Sequence, residues 1–259
     1  MKEKIYRSLV ELTNGKTSSK VLKAITTSKV SKPFIRSYSK VYGINTAEVS
    51  NSVDSFSSLH QFFTRTLKEG ARPVDEANNV YISPVDAKVE SFGMITSDCT
   101  LTVKNKPYSV VDLLGSEEQA KVYKNGSYIV FYLSPADYHR IHSPIDAHVL
   151  RQYVLGQKSY PVNQLGLSYG KKPISHNYRL VTELETSKQQ FAFIKVGAMF
   201  VNSIELTNTS DVWQKGQEVG YFSFGSTVVM LFEEAAIQFT DNVVQGEMVR
   251  MGERFATML

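Results

Sequence analysis

Two stretches of this 259-residue chain carry residue types that could do chemistry. The first is Lys215-Gly216-Gln217-Glu218-Val219-Gly220-Tyr221-Phe222-Ser223-Phe224-Gly225-Ser226-Thr227-Val228-Val229-Met230. It reads as a glycine turn, a short alternating strand, a Gly-Ser-Thr corner and a buried apolar strand running from Val228 to Phe232. Gly225 has no Cβ, so its carbonyl can be approached closely and tolerates strained backbone, with the Ser226 hydroxyl one residue away on the same turn. A Gly-Ser bond is equally an ordinary turn pair. The second stretch, Asp137-Tyr138-His139-Arg140-Ile141-His142-Ser143-Pro144, holds two of the five histidines, three apart, after an apolar strand. One histidine could activate Ser226 as a general base, with a carboxylate to orient it. His139, His142 and His148 could instead be metal ligands, although no carboxylate-rich motif accompanies them. The pair could also simply close a strand.

Periodicity predicts the elements that hold these residues. Ile5, Leu9 and Leu12, with Tyr6 and Val10, make a short amphipathic helix; Val21, Leu22 and Ile25 make a second; Phe34, Ile35, Tyr38 and Val41, after Pro33, make a third. Ser58 and Gln61 form a capping box before a helix carrying Leu59, Phe62, Phe63 and Leu67. Beyond Gly70 and Pro73 the pattern changes. Strands are expected over 80–85, 88–95, 100–103, 127–133, 147–155, 178–185, 191–199 and 201–206, with Ser109 capping one helical turn, Val110–Leu114. Helices first and strands afterwards predict an α+β fold with a predominantly antiparallel β body. The expected division is a basic helical region, 1–75, and a β-rich region, 76–259. Within the latter, Ser83-Pro84-Val85-Asp86-Ala87-Lys88-Val89 is echoed by Ser143-Pro144-Ile145-Asp146-Ala147-His148-Val149, which predicts two related strand-turn-strand units. If the motif is architectural, Asp86 and Asp146 are both turn residues.

Composition narrows the classes. The single cysteine, Cys99, excludes an internal disulfide and a CxxC site, and suits a reducing compartment. No apolar run approaches the roughly 18 residues that span a bilayer, and no signal-peptide pattern opens the chain. Residues 1–40 hold ten Lys/Arg against two acids, while the remaining 19 bases face 23 acids. A basic arm on a mildly acidic body suits an anionic partner, either a membrane surface or nucleic acid.

Four segments then carry a resemblance. Phe62-Phe63-Thr64-Arg65-Thr66-Leu67-Lys68-Glu69-Gly70-Ala71-Arg72-Pro73, the Ser83–Val89 motif, Tyr138-His139-Arg140-Ile141-His142-Ser143-Pro144 and Phe224-Gly225-Ser226-Thr227 resemble, in order, the signatures of phosphatidylserine decarboxylase. Ala87 and Asn202 stand where that family commonly has glycine. The resemblance implies a self-processing zymogen that converts phosphatidylserine to phosphatidylethanolamine. It implies no metal and no nucleic acid, but a pyruvoyl group made from Ser226 by attack of its hydroxyl on the Gly225 carbonyl, β-elimination of the ester, and hydrolysis that releases ammonia. It further implies a triad of Asp86, His142 and Ser226, a later proton transfer or substrate orientation by His139, and fragments 1–225 and 226–259 held as a heterodimer, with two heterodimers able to pair. The basic arm would then lie on the anionic, cytoplasmic face of a bacterial membrane, with Arg65 and Arg72 as candidates for phosphate contact. Two alternatives stay open: a conventional serine hydrolase using the same triad, although Ser226 lies in no Gly-x-Ser-x-Gly elbow, and a carrier module lipoylated or biotinylated on Lys88.

Overall fold

The computed structural model describes residues 23–158, 160–162, 166, 167, 170, 172–198, 204–223 and 226–259. The expected first helix, most of the second, Asn202 and Gly225 lie outside these residues. Local signals set the first elements. Ser28 accepts from the Val30 N–H and opens a 3-10 turn, Lys29–Phe34, that runs into α1 (Ile35–Val41). Ser58 accepts from the Gln61 N–H at 3.2 Å and opens α2 (Leu59–Phe63). Gln61 Oε1 in turn accepts from the Ser57 N–H at 2.7 Å, so the expected capping box closes one residue further out. The helix also stops a turn short of Leu67, because Leu67 bridges to Val49 and Thr66 pairs with Ser50.

The strands follow in order: β1 (Val80–Ile82), β2 (Ala87–Met94), β3 (Thr100–Val103), β4 (Lys106–Ser109), then α3 (Val110–Leu114) and α4 (Glu117–Val122). β5 (Ser127–Leu133), β6 (Arg140–His142) and β7 (Ala147–Leu155) precede α5 (Pro173–His176). The remainder is β8 (Arg179–Glu185), β9 (Gln190–Gly197), β10 (Ile204–Leu206), β11 (Val212–Trp213), β12 (Glu218–Phe222), β13 (Ser226–Phe232), β14 (Ile237–Phe239), β15 (Met248–Val249) and β16 (Arg254–Met258). An eight-stranded sheet, β11-β7-β8-β9-β13-β5-β2-β15, is joined by two three-stranded sheets, β1-β16-β14 and β10-β12-β6, and by the β3-β4 hairpin. Pairing between named strands is antiparallel, as expected of the α+β reading.

β13 lies in the middle of the large sheet and is buried along its whole length. Val228, Met230 and Phe232 enter one core with Phe131, Phe191, Phe193 and Phe255, while Val229 and Leu231 enter another with Leu113, Leu114 and Tyr123. A strand covered on both faces must be apolar at every position, which explains why the run after Ser226 does not alternate. Strand geometry places Ser226 on the face of Val228 and Met230.

The repeated motif makes two matching sets of hydrogen bonds. Ser83 and Ser143 each donate Oγ–H to a carbonyl two residues on, Val85 and Ile145, both at 2.7 Å. Gly252 N–H bonds the Ser83 carbonyl as Gly216 N–H bonds that of Ser143. Asp86 accepts from Met251 N–H at 2.9 Å and Asp146 from Lys215 N–H at 2.7 Å. The copies then join each other: His142 N–H donates to the Pro84 carbonyl at 2.9 Å and Ile82 N–H to that of Pro144 at 3.0 Å.

Ile35, Ile44, Val49, Phe56 and Phe62 form a small core of their own around the first helices. Tyr38 donates to the Pro135 carbonyl at 3.1 Å and Arg140 Nε to that of Thr64 at 3.0 Å, which fastens this section to the turn after β5 and to β6.

One polar side chain is conspicuous in the main core. Lys195 on β9 is fully buried; its ammonium donates to Thr182 Oγ1 and lies over the rings of Phe193 and Trp213, and no carboxylate among the described residues pairs with it. Burial pulls its pKa from 10.5 down to about 7. Between those values the unfolded chain binds more protons than the folded one, so this group makes the fold more stable as pH rises through that window. Lys195→Met is therefore expected to melt above the wild type at pH 7, with the gap closing toward pH 10. Thermal denaturation at several pH values checks this, and a variant that melts lower at pH 7 would contradict it.

Candidate active site

Ser226 opens β13 between Leu133 of β5 and Gly197 of β9. It is fully buried, and its Oγ has no hydrogen-bond partner among the described residues. Past Leu133 the chain turns: Ser134 N–H donates to Asp137 Oδ2 at 2.6 Å and Asp137 N–H to the Ser134 carbonyl at 3.0 Å, delivering Tyr138, His139 and β6. β6 pairs with β12, and Phe222 N–H, four residues before Ser226, donates to the His139 carbonyl at 3.0 Å. Two routes along the chain, one from β5 and one from β12, thus bring the histidine pair to the end of the sheet where Ser226 lies.

His139 is fully buried against the ring of Phe63, with centroids 4.0 Å apart. Its Nδ1 lies 2.8 Å from the Asp137 carbonyl, which can only accept, so Nδ1 carries the proton and Nε2 is a lone pair. That Nε2 is buried and has no partner among the described residues. Burial first, and the charge of Arg65 after it, push the pKa down to about 3 against the opposing bond to Asp137, so the imidazole is neutral at pH 7.

His142 is differently occupied. Its Nδ1–H donates to the Gly216 carbonyl at 2.7 Å, and Tyr138 lies across Nε2, hydroxyl to nitrogen 3.2 Å. Burial lowers its pKa, opposed by the Gly216 bond and by Glu218, so it too favours the neutral form. Asp86 lies close enough to act on His142 through space, but its carboxylate is spoken for: Arg72 Nε donates to both oxygens at 2.8 and 3.0 Å, Arg72 Nη2 adds a further bond, and Met251 N–H completes the set. The three expected triad members therefore share one end of the fold without a hydrogen bond between any two of them. Asp86 does the same architectural work as Asp146 and in addition holds an arginine, so the turn reading of the repeat is part of its role.

The two candidate phosphate contacts separate cleanly. Arg72 is closed: beyond Asp86 it donates Nη1 to Glu48 Oε2 at 2.9 Å and to the Ala71 carbonyl, and although burial opposes it, Asp86 and then Glu48 raise its pKa. Arg65 is open: Nη2 donates to the Ala136 and Asp137 carbonyls at 2.8 and 3.1 Å, but Nε and Nη1 are buried without an acceptor among the described residues. Sequence reasoning missed Tyr138, the Gly216 carbonyl and the Met251 N–H. Tyr138 stands in the same sequence stretch as the two histidines, two residues before β6, so it was within reach of that signal. The two backbone partners come from distant turns that no local pattern announces. Among the described residues no group of three His, Cys, Asp or Glu could hold a metal ion. Lys88 lies within β2 and pairs with Glu90 at 3.5 Å. A surface cleft lined by Val74, Asp75, Thr240 and Arg254 contains none of these site residues.

Comparison with known proteins gives a consistent result. A family model for phosphatidylserine decarboxylase matches residues 59–257. A relative from Geobacillus sp. (strain WCH70) is 50% identical over 250 residues, covering 96% of each chain. One from Bacillus thuringiensis (strain Al Hakam) is 48% identical over 259 residues, covering 100% of this chain and 99% of its own. Both are named phosphatidylserine decarboxylase proenzyme.

The Arg72–Asp86 pair is buried on both sides, with side chains 9% exposed, so removing the cation strands a carboxylate. Arg72→Met is expected to lose about 3–5 kcal/mol of stability in denaturant titration. A loss under ~1 kcal/mol would mean that solvent screens the pair.

Proposed function

Because the chain belongs to the phosphatidylserine decarboxylase family, we propose that it processes itself at Gly225–Ser226, with Asp86, His142 and His139 serving that step and the conversion of phosphatidylserine to phosphatidylethanolamine that follows. The observation that carries this reading is a buried serine hydroxyl with no partner among the described residues, at the start of a fully paired strand, on the same end of the sheet as two neutral buried imidazoles. Loss of CO2 from an α-carbon leaves a carbanion that no side chain delocalises, and a pyruvoyl group derived from Ser226 supplies the electron sink. Residue 226 suits such a group: ladders to β5 and β9 would keep it in place after scission, and β16 on β1 would hold fragment 226–259 to fragment 1–225 as a heterodimer.

In self-processing the Ser226 oxygen attacks the Gly225 carbonyl while its proton passes to an imidazole; the Gly225–Ser226 C–N bond then breaks to leave an ester, and the imidazolium returns the proton to the freed amine. His142 is the proposed acceptor: Gly216 fixes its tautomer, and the Tyr138 hydroxyl at Nε2 frees the lone pair when its O–H turns to another acceptor. Asp86, held by Arg72, supplies negative charge that favours the imidazolium. His139, whose Nε2 is already bare, is assigned to proton handling in the processed enzyme. The family relationship leaves neither the hydrolase nor the carrier alternative with support.

The substrate stays in a bilayer, and the first helices present a surface for it. Val30, Phe34 and Val41 are 73%, 62% and 78% exposed, interleaved with exposed Lys29, Lys32 and Lys40. Apolar side chains that enter an interface beside lysines facing anionic head groups make a peripheral docking face. No described helix is long and apolar enough to cross a membrane.

Intact-mass analysis is expected to find fragments 1–225 and 226–259 in active protein and only the whole chain in Ser226→Ala. His142→Ala should also stay whole, whereas His139→Ala should cleave but not decarboxylate. The reverse pattern would make His139 the base, and an active uncleaved wild type would end the proposal. Replacing Val30, Phe34 and Val41 together with Gln should reduce co-sedimentation with phosphatidylserine vesicles while cleavage proceeds; unchanged sedimentation would remove the docking face.

A further inference from the structure

Arg65 follows α2 and is buried, 4% exposed, bonded to the same Asp137 carbonyl as His139 Nδ1. The Ala136 and Asp137 carbonyls fix one corner of its guanidinium to the turn that leads into His139, and the ring of Phe62 lies 5.5 Å from its central carbon. No carboxylate among the described residues bonds it: Asp137 accepts from Ser134, Asp86 is held by Arg72, and both act on Arg65 through space alone. Two buried cationic donors with no acceptor among the described residues are costly to keep in a folded chain, so their presence beside His139 marks a position that an incoming anion would complete.

We propose that Arg65 is the subsite for the phosphodiester of the substrate head group, and that it does not touch the carboxylate that leaves. This rests on the reading that the chain acts on phosphatidylserine, a substrate with two anionic groups. A cation on the carboxylate would favour the ground state, whose charge disperses as CO2 departs, and would raise the barrier. A cation on the phosphodiester makes the same contact with substrate, transition state and product. Such uniform binding draws the head group out of the interface and sets its orientation. Its loss appears in KM rather than kcat. It also predicts that the product, which keeps the phosphodiester and has lost the carboxylate, binds Arg65 equally well.

The test compares wild type, Arg65→Gln and Arg65→Lys as full chains, with fragment formation followed by mass spectrometry and folding by thermal melting. Arg65→Gln is expected to cleave at Gly225–Ser226, to raise KM for phosphatidylserine in mixed micelles about 10- to 100-fold with kcat little changed, and to lose inhibition by glycerophosphoethanolamine in parallel. Arg65→Lys keeps the charge without the fork and should fall between the two. If Arg65→Gln does not fold, the same two quantities are read from Arg65→Lys. A fall in kcat at unchanged KM, or full inhibition of the variant by glycerophosphoethanolamine, would overturn the assignment. So would inorganic phosphate competing as well as glycerophosphoethanolamine at equal concentration. A wild type without decarboxylase activity would instead refute the functional reading on which the inference stands.

Discussion

Two backbone hydrogen bonds, His142 N–H to the Pro84 carbonyl and Ile82 N–H to that of Pro144, join the copies of the repeated motif and set the distance between Asp86 and the histidines. Each copy is also clasped by its own C-terminal turn, through Gly252 in one case and Gly216 in the other. In the second clasp the carbonyl of Gly216 is also the one that holds His142 Nδ1. A strand-turn-strand unit used twice thus brings a carboxylate from one copy near the imidazole that immediately precedes the other.

Satisfaction of buried polar groups changes in character across the molecule. In the interior such groups are normally paired, and Arg179 is typical here: buried, it donates to the carbonyls of Leu113, Asn177 and Asp112. Among the described residues a few buried atoms lack a partner, the Tyr108 hydroxyl and Asn208 Nδ2 for instance, and at the end of the large sheet they include His139 Nε2, Ser226 Oγ and two nitrogens of Arg65. On the proposed reading the hydroxyl is free to attack its own neighbouring carbonyl and the lone pair and cation are free to meet a substrate, because groups already paired must break bonds before they react. Arg72 shows the opposite state. By binding Asp86 and Glu48 together it ties the segment that follows the first helices to the carboxylate of the site.

Much of the fold was legible because strands announce themselves by alternation or by unbroken apolar runs. The expected spans 100–103, 127–133 and 147–155 coincide with β3, β5 and β7. α4 passed unnoticed because Glu117–Val122 buries just Ala120 deeply and so shows no stripe of its own. The predicted helix through Leu67 failed for a tertiary reason, since Leu67 found a strand-like partner in Val49.

The identities and order of Asp86, His139, His142 and Ser226, and the strand that presents Ser226, were determined by the sequence by itself, because side-chain chemistry and period-2 geometry are local properties of a covalent chain. The partner of each polar group was decided elsewhere. Whether Asp86 faces an imidazole or Arg72, whether His142 rests on a carboxylate or on Gly216, and which arginine stays open depend on contacts between residues tens to more than a hundred positions apart. Those contacts are set by how sheets and turns pack, and packing exists only once the whole chain has closed on its core.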